Sequence, residues 1–502
     1  MSSPLIRTIA ALGFAGYGVN ILELTPPGEV AGISTSVVGV VGEFPFGTPN
    51  EVITITSAAE LFDTFAPSEL GANDSYPALK AFLNKTFPGG LRVVRVVATD
   101  AVAATLTFED ASMTDSVDVT FNTTGVIGNS CTIEWVANAT TPGNRDAIVR
   151  IGTTYERRYE NVVTAAPLAV VDPGDKFVTF AANGSFAAVP DVAAAAALAT
   201  GSEGTIASAD YVGTTSSDVG IRKFYSDSVD VDVLFVAECP TTLCDAVNTG
   251  LAAYATETGK GMAVYSSPAA QTKALAKTYV TTNSLAEDNS VYCWPRVKTI
   301  NRYDPDFAEV AVDGNSFVAA AIASVAPEVS PGGASGNAAM KGITGLADTS
   351  GSRLDYDELN AAGVAGIVIT RTLGAIIRGG YTTDTTPGKE RIFRRRMTDF
   401  ITNSAAARAE YYIGTPLDIR LTEQELGTNT GAYIGELTAF LQELLDANRI
   451  ESYEVDPFSA NLQSNLNDGE WYIQIAVKLF GAAEKIVLMA NIGTGVVIAE
   501  AA

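Results

Sequence analysis

Hydrophobic spacing divides this chain into segments with different periods. Ile33–Gly42, Glu51–Thr56 and Leu91–Ala98 are short apolar runs that predict buried strands. Between them, Ser57 with Glu60 three residues on predicts a capped helix running to Phe65, and Tyr76–Phe87 predicts another. From about 99 to 200 the runs Ser116–Phe121, Cys131–Val136 and Tyr155–Val163 alternate between turn residues, which predicts a small β-barrel or sandwich. The alanine-rich segment Asp191–Thr200 reads as a helix closing it.

From 201 to about 355, strands Val231–Ala237, Gly261–Ser266 and Ser290–Trp294 alternate with helices Thr242–Glu257 and Ala269–Thr282, the pattern of a parallel sheet with helices packed on it. Further on, Phe393, Met397, Phe400, Ser404, Ala407 and Tyr411 follow one helical stripe, and Ile434, Leu437, Phe440, Leu441, Leu444 and Leu445 a second. Trp471, Ile473, Ile475, Val477 and Leu479 share one face of a strand. Two strand-like pieces stand apart from all this. Val19–Leu24 lies near the start and is stopped by Pro26-Pro27, and Ile486–Met489 with Val496–Ile498 lies near the end. Strands this isolated need partners from elsewhere.

Length and composition narrow the chemistry. A chain of 502 residues exceeds a single core and implies several domains. Fifty-seven acidic residues against 32 basic ones give a formal charge of −25, which repels nucleic acid and anionic membrane alike. No apolar stretch of membrane-spanning length occurs. The one leader-like segment, Leu5–Phe14, carries Arg7 inside its apolar run and lacks a clean cleavage site, so export is not expected. Cys131, Cys239, Cys244 and Cys293 form no CxxC pair and read as small buried hydrophobes of a reducing compartment, with a Cys239–Cys244 bridge the one pairing the spacing leaves open.

The chain has no histidine, which removes Ser-His-Asp and Cys-His nucleophile pairs and histidine zinc sites. Phosphate-loop, dinucleotide and nucleophile-elbow signatures are missing too. No catalytic, cofactor or metal residue is therefore expected. Asp227, Asp230 and Asp232, or Asp304 and Asp306, match no calcium loop and read as solvated surface. The loop Ser330-Pro-Gly-Gly-Ala-Ser-Gly336 reads as a mobile connector, or else as an anion cradle. The run Arg391, Arg394, Arg395, Arg396 is the one dense basic patch, either a solvated helix face or a contact for an acidic surface.

Several separated motifs carry a resemblance. Gly18-Val-Asn-Ile-Leu-Glu23, Ile33-Ser-Thr-Ser-Val-Val-Gly-Val-Val-Gly42, Phe46-Gly-Thr-Pro-Asn50, the strand Leu91–Val97, Leu359-Asn-Ala-Ala-Gly-Val364, the pair Arg395-Arg396, Phe440-Leu441 and Ala483-Glu484 occur in an order that resembles the contractile tail sheath proteins of phages and related injection machines. The resemblance covers roughly residues 18–98 and 356–500. It departs from the family's pattern at Arg378-Gly-Gly-Tyr-Thr-Thr383 and at Ile413-Gly-Thr-Pro416.

The resemblance implies a mixed α/β, multidomain chain. Its α+β core domain is built from both chain ends (31–98 and 356–480), with an inserted all-β domain (99–200), an inserted α/β domain (201–355), and arms at 1–30 and 481–502. It further implies a non-catalytic structural protein that polymerises as a helical homo-oligomer around a tail tube protein. Baseplate and tail terminator proteins would be its other partners. Its place would be the virion tail, after assembly in the host cytoplasm, or the sheath of a non-phage contractile injection system. Arms carrying Val19, Ile21, Leu22, Leu24, Ile486, Val487, Leu488, Met489, Val496, Val497 and Ile498 would exchange strands between subunits. Arg391, Arg394, Arg395 and Arg408 are expected to face outward, toward the tube or a neighbouring subunit. A surface-layer or shell protein and an α/β enzyme are the rival classes.

Overall fold

The computed structural model describes residues 36–65, 67, 90–226, 228–259, 261–300, 308–347 and 353–481. They fall into two compact units, one within Ser34–Asp399 and the other within Phe400–Gly481. The predicted helix Tyr76–Phe87, the pair Asp304 and Asp306, and Asp227 lie outside the described residues.

The first unit is organised by an eight-stranded sheet. Its order is Gly374–Arg378, Val364–Thr370, Ser290–Trp294, Met262–Tyr265, Val233–Ala237, Val38–Gly42, Leu91–Arg95 and Val52–Ile55. The six central strands run parallel, and the two outermost are antiparallel to their neighbours. Every residue of Val38–Gly42, Val233–Ala237, Met262–Tyr265 and Ser290–Trp294 is buried, as continuous apolar runs require when helices cover both faces. Val38, Val40, Val233, Phe235 and Val264 point to one face, where the helix Asn315–Ala323 is buried along its whole length. Val41, Leu234, Val236, Ala263 and Tyr265 point to the other, against helices Cys244–Thr258 and Lys273–Thr282. Gly39 is fixed by packing: a Cβ there would lie 2.7 Å from Leu234 Cδ1 and 3.1 Å from Phe224 Cε1.

This sheet redraws the boundaries expected from the sequence. Strands from 31–98, from 201–355 and from 356–480 are neighbours in it, so the α/β segment supplies the sheet's middle and is not set apart from the core. The physical reason is that a parallel strand buried on both faces must be paired on both edges. Val38–Gly42 finds its partners at Val233–Ala237 and Leu91–Arg95.

The all-β segment is a barrel-like pair of sheets. Val178–Ala182, Asp115–Thr124 and Ala103–Glu109 form one; Ala193–Ala197, Cys131–Ala137, Arg145–Ile151, Tyr155–Ala165 and Leu168–Val170 form the other. They share one core, with Trp135 edge-on to Phe108 and Phe180 at 5.6 and 5.7 Å. The predicted helix Asp191–Thr200 is a strand, Ala193–Ala197. That segment pairs with Cys131–Ala137 along its middle and bridges the opposite sheet at Asp110–Pro190 and Thr105–Ala199, closing the seam. Two open sheet edges outweigh the helix propensity of alanine.

In the second unit, helix Thr428–Asp446 presents the predicted stripe: Leu437, Phe440, Leu441 and Leu444 are buried. Asp418 caps its start, accepting hydrogen bonds from the Asn429 and Thr430 amides at 3.0 Å each. Helix Ile392–Ala409 buries Phe393, Met397, Phe400 and Ser404 as the stripe predicts. The stripe then ends early. Ala407 is exposed, and Tyr411 lies in the following 3-10 turn with 76% of its surface exposed, while Ile401 and Ala405 are buried in their place.

Candidate assembly site

The predicted strand around Trp471–Phe480 forms over Gln474–Lys478 and pairs antiparallel with Ser452–Asp456. The two make an amphipathic ribbon. Tyr453 opposes Val477 and Val455 opposes Ile475, while Ser452–Lys478 and Asp456–Gln474 are polar pairs. From Trp471 to Phe480 exposure alternates without a break, with Trp471, Ile473, Ile475, Val477 and Leu479 on the half-buried side. Helix Thr428–Asp446 lies against the ribbon through Tyr453 Oη, 3.0 Å from Gln442 Oε1, and through Tyr433, whose ring is 6.2 Å from that of Trp471. Among the described residues each of these two strands is paired along one edge only. Two strands are marginal alone, so each outer edge is a ready row of donors and acceptors for another strand. The arm residues Val19, Ile21, Leu22, Leu24, Ile486, Val487, Leu488, Met489, Val496, Val497 and Ile498 lie outside the described residues.

The arginines of the basic patch, and Arg408, are compensated within the chain. Arg391 stacks over Tyr381 at 3.8 Å and approaches Glu390. Arg394 pairs with Glu390 at 3.2 Å, and Arg395 bridges Asp399 at 2.7 Å and Asp288 at 3.3 Å. Arg408 grips Glu436 with two hydrogen bonds, at 2.6 and 2.7 Å. Only Arg394 keeps as much as 40% of its side chain exposed. Asp288 and Glu436 were invisible as partners because they lie 107 and 28 residues away in sequence.

Two arginines are buried in structural roles that the sequence does not assign them: Arg396, which the pattern places in the basic patch, and Arg95. Arg396 donates to the carbonyls of Val325 and Ala326, and burial pushes its pKa down to about 10. Arg95 donates to the carbonyls of Phe44, Gly47 and Thr124, fastening the barrel to the sheet. For Arg95 the available signal was its place within the valine run Val93-Val-Arg-Val-Val97.

In open α/β sheets, ligands gather at the carboxyl ends of the strands. Here that position holds a closed internal network. Arg296 pairs with Glu238 at 2.8 Å, Glu238 accepts the Asp313 amide at 2.6 Å, and Asp313 accepts the Ser267 amide at 2.8 Å. Burial raises the pKa of Asp313 to about 7, against the pull of Arg296. Among the described residues no three metal-binding side chains converge, and all four cysteines are buried free thiols. No helix among them is long and apolar enough to cross a membrane.

No protein-family model and no curated protein matches the sequence. Solved structures do match. A sheath tail protein from Desulfitobacterium hafniense superposes with a TM-score of 0.63 at 14% identity, over 92% of this chain and 100% of that one. A sheath tail protein from Listeria innocua gives 0.58 at 16% identity, over 89% and 96%. The contracted helical sheath of the anti-feeding prophage gives 0.56 at 13% identity, over 95% and 99%. The chain thus has the fold of contractile tail sheath proteins, in its mixed α/β, multidomain form.

Proposed function

We propose that this protein is a non-catalytic subunit that polymerises into a contractile sheath around a tail tube and contracts to drive the tube through a target envelope. The observation that carries this is extent: the sheath fold spans 92% of this chain and the whole of a sheath tail protein. The assembled phage tail is the first setting. A non-phage contractile injection system is the second, favoured by the similarity to the anti-feeding prophage sheath at a TM-score of 0.56. Partners in either setting are further copies of the chain, the tube protein, the baseplate and the tail terminator.

The proposed linkage is strand addition. The terminal segments Val19–Leu24 and Ile486–Ile498 would dock on the free edges of the ribbon Ser452–Asp456/Gln474–Lys478 in neighbouring copies. Each backbone hydrogen bond gained contributes about 0.5–1.5 kcal/mol net. Repetition without ring closure then builds a helix. Contraction is a rigid-body rearrangement of folded subunits tethered by their arms. Arg394, Arg395 and Arg408 lie on one helix and Arg391 immediately precedes it; we place this segment toward the tube or an adjoining subunit.

Deleting residues 482–502 tests the linkage. The truncated chain should stay folded and soluble and sediment as a monomer. Helical polymers formed by it would remove strand addition from the proposal.

A further inference from the structure

Two glycine-rich stretches have no part in the account so far: Ser330-Pro-Gly-Gly-Ala-Ser-Gly336, and Arg378-Gly-Gly-Tyr381, where the sequence departs from the sheath pattern. The fold brings them face to face. A Cβ on Gly332 would lie 2.8 Å from the Gly379 carbonyl carbon, and one on Gly380 would lie 2.5 Å from Ser330 Oγ. The glycines are therefore set by close backbone approach. They do not mark a mobile connector. Nor is the loop an open anion cradle, because the Gly333 amide is already bonded to the Ile377 carbonyl at 2.9 Å.

What the loop covers is an outer edge of the large sheet. Strand Gly374–Arg378 is paired on its inner side with Val364–Thr370. In an antiparallel edge strand alternate residues turn their backbone groups outward. Here the carbonyls concerned are those of Leu373, Ala375 and Ile377, and all three are occupied from the loop. Asn337 Nδ2 donates to Leu373 O and, at 3.3 Å, to Ala375 O, while the Gly333 amide takes Ile377 O. Asn337 thus stands in for the donors of a neighbouring strand. Beside it Ile369 and Leu373 are 44% and 42% exposed, so an uncovered edge here would be both apolar and unpaired.

We propose that the Ser330–Asn337 loop is an edge guard: it occupies the outward carbonyls along Gly374–Arg378, so that exchanged strands dock on the ribbon Ser452–Asp456/Gln474–Lys478 and not on this edge of the large sheet. The selectivity part rests on the assembly proposed above. The occlusion of the edge stands on the hydrogen bonds alone. A protein that polymerises by strand addition must close the edges that are not meant to react, and this loop does so from within the chain.

The test uses the full-length protein and two substitutions that act from opposite sides. Asn337→Ala removes the two side-chain donors, and Gly380→Ala pushes Ser330 off its seat. In both, hydrogen exchange at the Gly333 amide and across 373–378 should quicken about tenfold, the scale of one lost hydrogen bond, while Val291–Cys293 inside the sheet keeps its protection. Electron microscopy should then show irregular side-by-side aggregates at the expense of ordered polymer. Wild-type exchange at Gly333 in both variants would overturn the guard, as would faster exchange with unchanged assembly products. If the wild-type chain forms no helical polymer, the sheath proposal fails separately. The guard is then judged by whether the variants aggregate where the wild type stays dispersed.

Discussion

Replacing Arg95 by methionine tests how the barrel is held to the sheet. Arg95 is 1% exposed, and its guanidinium reaches three carbonyls: Phe44 O at 2.6 Å, Thr124 O at 2.9 Å and Gly47 O at 3.2 Å. Around it Phe46 packs against Phe177 and Phe121, with ring centres 5.3 and 6.4 Å apart. Methionine keeps the stem's apolar packing but strands all three acceptors. Bonds from a charged donor contribute about 1.5–3 kcal/mol each, so the gross loss is roughly 4–9 kcal/mol. Against this, burial holds the Arg95 pKa down to about 10. At about 1.4 kcal/mol per pKa unit, removing the charge returns roughly 3 kcal/mol of desolvation. The lost bonds win, and the net destabilisation is about 1–6 kcal/mol, a large share of the ~5–15 kcal/mol that holds a domain.

The assay is hydrogen-exchange mass spectrometry under native conditions, reading peptides over 44–50 and 120–126. Helix Thr428–Asp446, in the other compact unit, is the internal reference. Protection should fall at the first two and hold at the third. Arg95→Lys should recover less than half, because one ammonium cannot span three carbonyls as the planar fork does. A loss below about 1 kcal/mol, or an equal loss in the reference helix, would refute the idea that this joint makes the barrel and sheet one body.

Two further outcomes follow from the charges. Asp232 accepts the Val37 amide at 2.7 Å, and its pKa is pushed up to about 7, mainly by burial and further by Asp230 and Asp399, while that amide and Arg396 oppose the shift. With a folded pKa near 7 and an unfolded one near ~3.9, folding takes up a proton between those values, so this group costs stability as pH rises through that window. The melting-temperature advantage of Asp232→Asn over wild type should therefore widen from pH 5 to pH 8, and an equal gap at both would contradict it. Converting Arg391 and Arg394 to Glu should weaken assembly on tubes most at low salt, where screening is least, and unchanged tube decoration there would confine these residues to their pairing with Glu390 and Tyr381 within the chain.

The large sheet was legible because its strands are apolar on both faces. Ser290–Trp294 was placed to the residue, and Val233–Ala237 and Met262–Tyr265 to within two. What could not be read was which distant strands become neighbours, so 201–355 was separated from a sheet whose centre it forms. The five alanines at Ala193–Ala197 carry no side-chain pattern, and only the seam of the barrel makes them a strand. The arginine helix shows the same limit. The i,i+4 pairs Arg395–Asp399 and Glu390–Arg394 were available locally, whereas Arg408–Glu436 depends on two helices meeting. The ribbon's alternation was read correctly at Trp471–Leu479, but the arms proposed to complete it lie outside the described residues.

Electron microscopy of the purified full-length chain at high concentration tests the central claim most directly. Hollow helical tubes of one repeating subunit, formed without any partner and in the contracted lattice, are the expected result. A dispersed monomer or a small closed oligomer under the same conditions, above all one that turns over a substrate, would contradict the account.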